Sequence, residues 1–227
     1  MPRLLLEVIV QTVVDAREAA AGGADRLEVV RAIHDGGLTP SIALVRAIAA
    51  ETSLPLRVMV RENAGYSTAA GELTALQRAA GELAALGVDG IVLGFAHDGR
   101  LSMDAMRCVL EPTPDLRVTF HRAFDTLHAP LDAIDELAAI AQIDRILTSG
   151  GRASTAERCE RLRAYGARAG ARFTIVAGGG VDAEALAHFA RMECVREAHV
   201  GRAAREDHDP AGSVSAACVK RLRALAV

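Results

Sequence analysis

Six residues that could do chemistry fall within short stretches that otherwise read apolar: Glu7, Glu28, Arg61, His121, Glu197 and His199. A charge in such a run is costly to bury unless it is paired or used. Carboxylates and imidazoles brought within hydrogen-bond reach are the groups of general acid–base catalysis. His121 ends the stretch VTFH within VTFHRAFD. Its reference pKa of about 6.5 suits proton transfer near neutrality. Arg61 suits an anionic group or a developing negative charge. Glu28 or Glu197 would fix the tautomer of His121 or act as the opposite acid–base partner. Crowding of Glu7, Glu28 and Glu197 would raise at least one carboxylate pKa. The alternative is structural: Glu7, Arg26 and Glu28 form a buried network, and His121 is a satisfied core histidine. No HExxH pairing occurs, which argues against a zinc protease.

Glycines supply a second set. TSGG covers residues 148–151, AGGGV covers 177–181, and Gly201 follows another apolar run. Glycine runs let backbone N–H groups approach an anion closely. Gly178, Gly179, Gly180 and Gly201, with Arg202 adding its guanidinium fork, are the expected binding set for a phosphate-sized group. The plain alternative is a set of tight turns with ordinary helix caps. Asp182 and Ser41 stand where such caps belong.

The elements that must position these residues alternate along the chain. Strand-like runs fall at 4–10, 26–30, 56–61, 87–93, 116–121, 143–148, 173–177 and 195–200. Helical segments fall near 15–22, 41–51, 71–86, 102–110, 130–140, 153–168, 182–191 and 213–226. Eight strand–helix units of about 28 residues match the βαβ repeat. The fold class is therefore α/β: one compact TIM-like (β/α)8 barrel of parallel strands, a single domain over residues 1–227. An open doubly wound sheet is the competitor, but no GxGxxG follows the first strand. In a barrel, the loops after the strands build the site, and phosphate binds after the seventh and eighth.

Composition narrows the partners. The formal charge is −3, aromatic residues are 3%, and there is no tryptophan. A nucleic acid is not expected as partner, because its binders concentrate positive charge and stacking rings. No apolar run reaches membrane-spanning length. The first ten residues, MPRLLLEVIV, do not read as a signal peptide. A cytoplasmic location follows. Cys108, Cys159, Cys194 and Cys218 are too scattered for a compact thiolate site, and we expect four reduced thiols that share no metal.

Five stretches, GADRLE (23–28), GGLTPS (36–41), TFHRAFD (119–125), ILTSG (146–150) and AGGGV (177–181), resemble the copper homeostasis protein CutC family. Glu7, Tyr66–Ser67, Asp98–Gly99, Glu197 and His199 fit the same pattern. The resemblance implies a compact TIM-like barrel in the cytoplasm, assembled as a homodimer or higher homo-oligomer. It also implies a link to copper tolerance and, in some members, copper binding; no reaction is securely assigned to the family. Three departures stand out. The cysteines that often follow the two strand glutamates are replaced by Ile9 or Val10 and by Val30. The segment RPRGGDF is shortened to RENAG (61–65). Ser102 replaces an aspartate. Without those thiolates, copper(I), which prefers sulfur ligands, loses its natural donors.

Three functions remain open: a copper-associated homeostasis protein, an enzyme using acid–base chemistry on a small anionic or phosphorylated substrate, and a non-catalytic binding or scaffold protein. The expected partner is a small anion or a metal ion. If metal is bound, His121 and His199 are the expected ligands.

Overall fold

Each barrel strand must present one face to an outer helix layer and the other to the barrel axis, so the two faces carry different chemistry. The computed structural model describes residues 3–226. The first four barrel strands are β1 (Leu5–Val10), β2 (Arg26–Val29), β3 (Leu56–Met59) and β4 (Gly90–Leu93). A short antiparallel hairpin of β5 (Ala96–His97) and β6 (Arg100–Leu101) follows. The circle continues through β7 (Arg117–Phe120), β8 (Ile143–Thr148), β9 (Thr174–Ala177) and β10 (Glu197–Val200). All eight barrel strands are parallel, and β10 pairs with β1 to close the ring. The expected (β/α)8 barrel is therefore present, and the open sheet is excluded.

The eight helices are α1 (Val13–Ala21), α2 (Ile42–Glu51), α3 (Ala70–Leu86), α4 (Met103–Leu110), α5 (Pro130–Leu137), α6 (Thr155–Ala169), α7 (Ala183–Phe189) and α8 (Ala216–Leu225). Local chemistry starts several of them. Ser41 accepts from Leu44 N at α2, and Asp182 accepts from Ala185 N at α7, as their positions suggest. Ser154 and Glu157 form a reciprocal capping box at α6. Pro130 opens α5, where a missing N–H leaves no unmet bond. Between the strands and helices, Leu6, Val8, Leu27, Val29, Val58, Ile91 and Phe120 are fully buried and join the main hydrophobic core.

The hairpin was not legible from periodicity, because each arm has two residues. Its turn is Asp98–Gly99, both with positive φ, the geometry that tight hairpins need. The 3-10 turns at 122–126 and 202–204 were also not anticipated. They follow β7 and β10 directly and shape the mouth.

Candidate functional site

The barrel interior is lined by charge at the end where the strands begin. Arg57 is fully buried, donating to Asp89 (2.7 Å) and to both oxygens of Asp144 (3.1 and 2.9 Å). Arg145 bonds Asp144 and reaches Glu197 at 2.9 Å. Arg26 donates to Glu7 at 2.5 Å and to Glu197. Strand register explains the joins, since Glu7 lies opposite Arg26 on one side and His199 on the other. The sequence reading missed Arg57 and Arg145. Two signals were available: Arg57 shares a strand face with Arg61 four residues on, and Arg145 interrupts the apolar run IDRILT.

One layer higher, His199 lies between two carboxylates. Its Nδ1 is 2.7 Å from Glu7 Oε1, and its Nε2 is 3.2 Å from Glu28 Oε2. Burial disfavours a charged ring, yet Glu28 and Glu7 together hold the His199 pKa above its usual value. Burial alone would raise Glu7, but Arg26 and His199 outweigh it and hold this carboxyl well below the usual range. Glu28 goes the other way. Burial pushes it up to about 7, helped by the Glu7 charge and opposed by His199 and Arg26. Like charges close together cannot ionise equally well, and Glu28 is the member that yields.

At the mouth, His121 Nδ1 accepts the N–H of Ala123 at 3.2 Å. The ring proton is thereby assigned to Nε2. Burial, then the Arg61 and Arg122 charges, push the His121 pKa down to about 3. His121 is thus a neutral donor near pH 7, and the near-neutral acid–base group expected there is Glu28 instead. Gly94 makes room for the ring, since a Cβ at that position would lie 2.7 Å from His121 Nδ1. Tyr66 packs against the same ring, with centroids 5.3 Å apart, and the Arg61 guanidinium lies 4.9 Å from the Tyr66 centroid.

Arg61 is held by its own neighbourhood. Its N–H groups donate to Gly65 O (3.2 Å), Gly36 O (3.3 Å) and Ala64 O. Thr39 Oγ1 accepts from Arg61 N and donates to Arg61 O, which ties GGLTPS to the end of β3. Three of the five guanidinium N–H groups are thereby held, and Arg61 lines the mouth as a positive charge. TFHRAFD and ILTSG are joined in the same way: Asp125 accepts from Thr148 Oγ1 at 2.6 Å and from Ser149 Oγ at 2.7 Å.

A cavity of about 590 Å³ opens here. Of the residues singled out from sequence, Glu28, Arg61, His121, His199, Gly179, Gly180, Gly201 and Arg202 line it. Glu7 and Glu197 lie deeper and do not. Gly178 does not line it either, and its amide is already bonded to Thr148 O at 2.9 Å. Gly179 has φ +72°, and a Cβ there would sit 2.6 Å from Ser149 Cβ, so glycine is required at this step of the loop. Among the described residues, the amides of Gly179, Gly180 and Arg202 meet no protein acceptor. Arg122, also in the lining, pairs with Asp125 at 3.0 Å.

Three buried side-chain atoms have no partner among the described residues: Glu28 Oε1, Thr119 Oγ1 and His121 Nε2. Glu28 and His121 line the cavity, and Thr119 lies two residues before His121 on β7. Glu7, Glu28 and His199 also offer ligand atoms within 4.8 Å of one another. That donor set holds oxygen and nitrogen but no sulfur. It does not fit copper(I); oxygen and nitrogen donors suit copper(II) or zinc. Glu7 is moreover already engaged by Arg26. The four cysteines are free and none lines the cavity. Among the described residues, no helix is long and apolar enough to cross a membrane.

A CutC family protein of Xanthomonas campestris pv. campestris (strain B100) is 36% identical over 214 residues, covering 93% of this chain and 85% of the relative. The human copper homeostasis protein cutC homolog is 31% identical, covering 89% of this chain and 75% of the relative. The CutC crystal structure from Streptococcus agalactiae superposes with a TM-score of 0.79 at 25% identity, over 86% of this chain and 97% of that one. Thiamine phosphate pyrophosphorylase from Pyrococcus furiosus has a TM-score of 0.63 at 17% identity, over 98% of this chain and 95% of that one, and shares the fold alone. The CutC family model matches residues 4–204, and the chain belongs to that family, whose members include proteins named for copper homeostasis.

Proposed function

We propose that this CutC-family protein is an enzyme performing acid–base chemistry on a small anionic, phosphorylated molecule at the barrel mouth. The observation that carries this reading is the set of unmatched buried polar atoms at a cavity with an arginine-rich rim. Natively buried polar groups are nearly always satisfied, so unmatched ones beside an open cavity point to a ligand. Glu28 is the proton-transfer group, because its pKa near 7 makes both forms accessible at working pH. His199 and Glu7 hold it in place from below. His121 donates through Nε2, and Gly179, Gly180, Gly201 and Arg202 take the anionic end. The same proposal keeps the protein in the cytoplasm and homo-oligomeric, as the family resemblance implies.

Titration with inorganic phosphate and with glycerol 3-phosphate, read by backbone amide shifts, tests it. Shifts are expected at Gly179, Gly180 and Arg202, and they should fade in Arg202→Gln. Saturating ligand without shifts at these amides would overturn the reading.

A second reading takes Glu7, Glu28 and His199 as a metal site, on the strength of their close approach. Calorimetric titration with copper(II) and zinc decides it. Micromolar binding lost in His199→Gln supports the metal, and no heat of binding removes it.

A further inference from the structure

The cavity lining includes no serine, threonine, cysteine or lysine. The chain's single lysine, Lys220, lies on α8, outside the barrel. No hydroxyl, thiol or amine of those residues is in place to form an acyl-enzyme, a thioester or a Schiff base. Of the lining residues, those that keep a buried side-chain atom without a partner are Glu28, through Oε1, and His121, through Nε2. The imidazole is fixed in its tautomer by the Ala123 amide. Arg61 is less suited to a developing oxyanion, because three of its five N–H groups are held by backbone carbonyls.

We propose that the mouth takes a phosphorylated carbonyl compound and moves a proton on the carbon next to its carbonyl. This rests on the reading of the pocket as an acid–base site for an anionic substrate. Glu28 Oε1 accepts the C–H proton. The C–H bonding pair becomes the carbon–carbon double bond, and the carbonyl π pair moves onto oxygen. His121 Nε2–H hydrogen-bonds that oxygen without giving up its proton. In a 2-hydroxy carbonyl compound the neighbouring hydroxyl proton of the enediolate passes to the oxyanion. The new oxyanion's pair closes a carbonyl on the adjacent carbon, and the double-bond pair takes the proton from Glu28 at the former carbonyl carbon. The carbonyl thus moves one carbon along in an isomerisation that needs no oxidant or co-reactant. A neutral imidazole suits this step, since its N–H is closer in acidity to an enol than an imidazolium would be. The buried surroundings strengthen the hydrogen bond as charge develops.

The test compares two probes that share a phosphate. Phosphoglycolohydroxamate presents a planar, enolate-like oxygen pair; glycerol 3-phosphate presents only hydroxyls. Both are titrated calorimetrically at pH 8. The hydroxamate should bind at least about 100-fold tighter, the lower end for mimics of a transition state. Glu28→Gln and His121→Phe should each remove most of that preference, with an unaltered circular-dichroism spectrum and cooperative urea unfolding reporting an intact fold. Equal affinity of the two probes for the unaltered protein would overturn this inference and leave the anion pocket standing. Failure of both probes to bind would overturn this inference together with the reading on which it rests.

Discussion

The two ends of the barrel interior follow opposite rules. Where the strands begin, the buried arginines are paired: Arg57 with Asp89 and Asp144, Arg145 with Asp144 and Glu197, Arg26 with Glu7 and Glu197. Toward the mouth, Glu28 and His121 each keep a buried polar atom unmatched. Both ends are rich in ionisable residues, so charge alone does not mark a site. Completeness of pairing separates the end that holds the barrel together from the end that we propose as the ligand site. Glu7 belongs to both, bonded downward to Arg26 and upward to His199.

The largest effect should come from the paired end. Arg57→Ala takes the close partner from Asp89, leaves Asp144 to Arg145 alone, and empties the site of a fully buried side chain. Breaking a buried pair costs about 3–5 kcal/mol. At roughly 2–4 °C per kcal/mol for a domain of this size, the melting temperature should fall by about 6–20 °C. A loss below about 1 kcal/mol in urea unfolding would show that the lower network is not what holds the barrel.

A smaller effect is expected where the mouth loops are fastened. Asp125→Ala removes the acceptor for Thr148 Oγ1, Ser149 Oγ and Ser149 N. Hydrogen bonds to a charged group contribute about 1.5–3 kcal/mol each, but these atoms are only part-buried and water can replace some of them. A stability loss of about 2 kcal/mol is expected. Phosphate affinity should weaken as well, because Ser149 packs under Gly179. Unchanged phosphate binding would separate this clamp from the anion loop.

Gly94→Ala acts on one side chain. The added methyl would fall 2.7 Å from His121 Nδ1 and 3.0 Å from its Cε1, so the ring must move. Overpacking of this kind costs about 1–3 kcal/mol. The hydroxamate preference should drop while glycerol 3-phosphate binding persists. Retention of the preference would mean that His121 does not set it.

The sequence made the architecture legible because burial enforces period. Each strand face repeats every second residue, and eight such runs between alanine-rich segments leave few folds to choose from. It also marked Glu28, His121 and His199, since a charge in an apolar run stands out. Two things were not legible. Arg57 and Arg145 were not legible, because the partners that make them a network, Asp144 and Glu197 on other strands, are set by strand order and not by local sequence. Proton affinity was assigned by residue type, giving His121 the near-neutral role. The three-dimensional surroundings reassign it: Arg61 and Arg122, distant in sequence from each other, join burial in keeping His121 neutral, and Glu7 joins burial in raising Glu28.

That reassignment gives the smallest and sharpest expected effect, a difference in sign between two carboxylates on either side of one imidazole. Glu28 has a folded-state pKa near 7 against an ordinary 4.5. A raised pKa means the fold favours the protonated form. Its contribution is complete below about pH 4.5 and is lost as pH rises through about 7. Glu28→Gln mimics the protonated form at every pH. It should leave stability unchanged at pH 5 and raise it by about 1 kcal/mol at pH 8, a modest gain because the His199 contact is lost with the charge. Glu7 is held below its ordinary value by Arg26 and His199, so its contribution is present above about pH 4.5 and lost only in acid. Glu7→Gln should therefore destabilise at both pH 5 and pH 8. Urea unfolding of the two variants at the two pH values reads all four numbers. A loss of more than about 1 kcal/mol for Glu28→Gln at pH 8 would place Glu28 with the structural network, and the contrast between the two ends of the barrel would fail at its boundary.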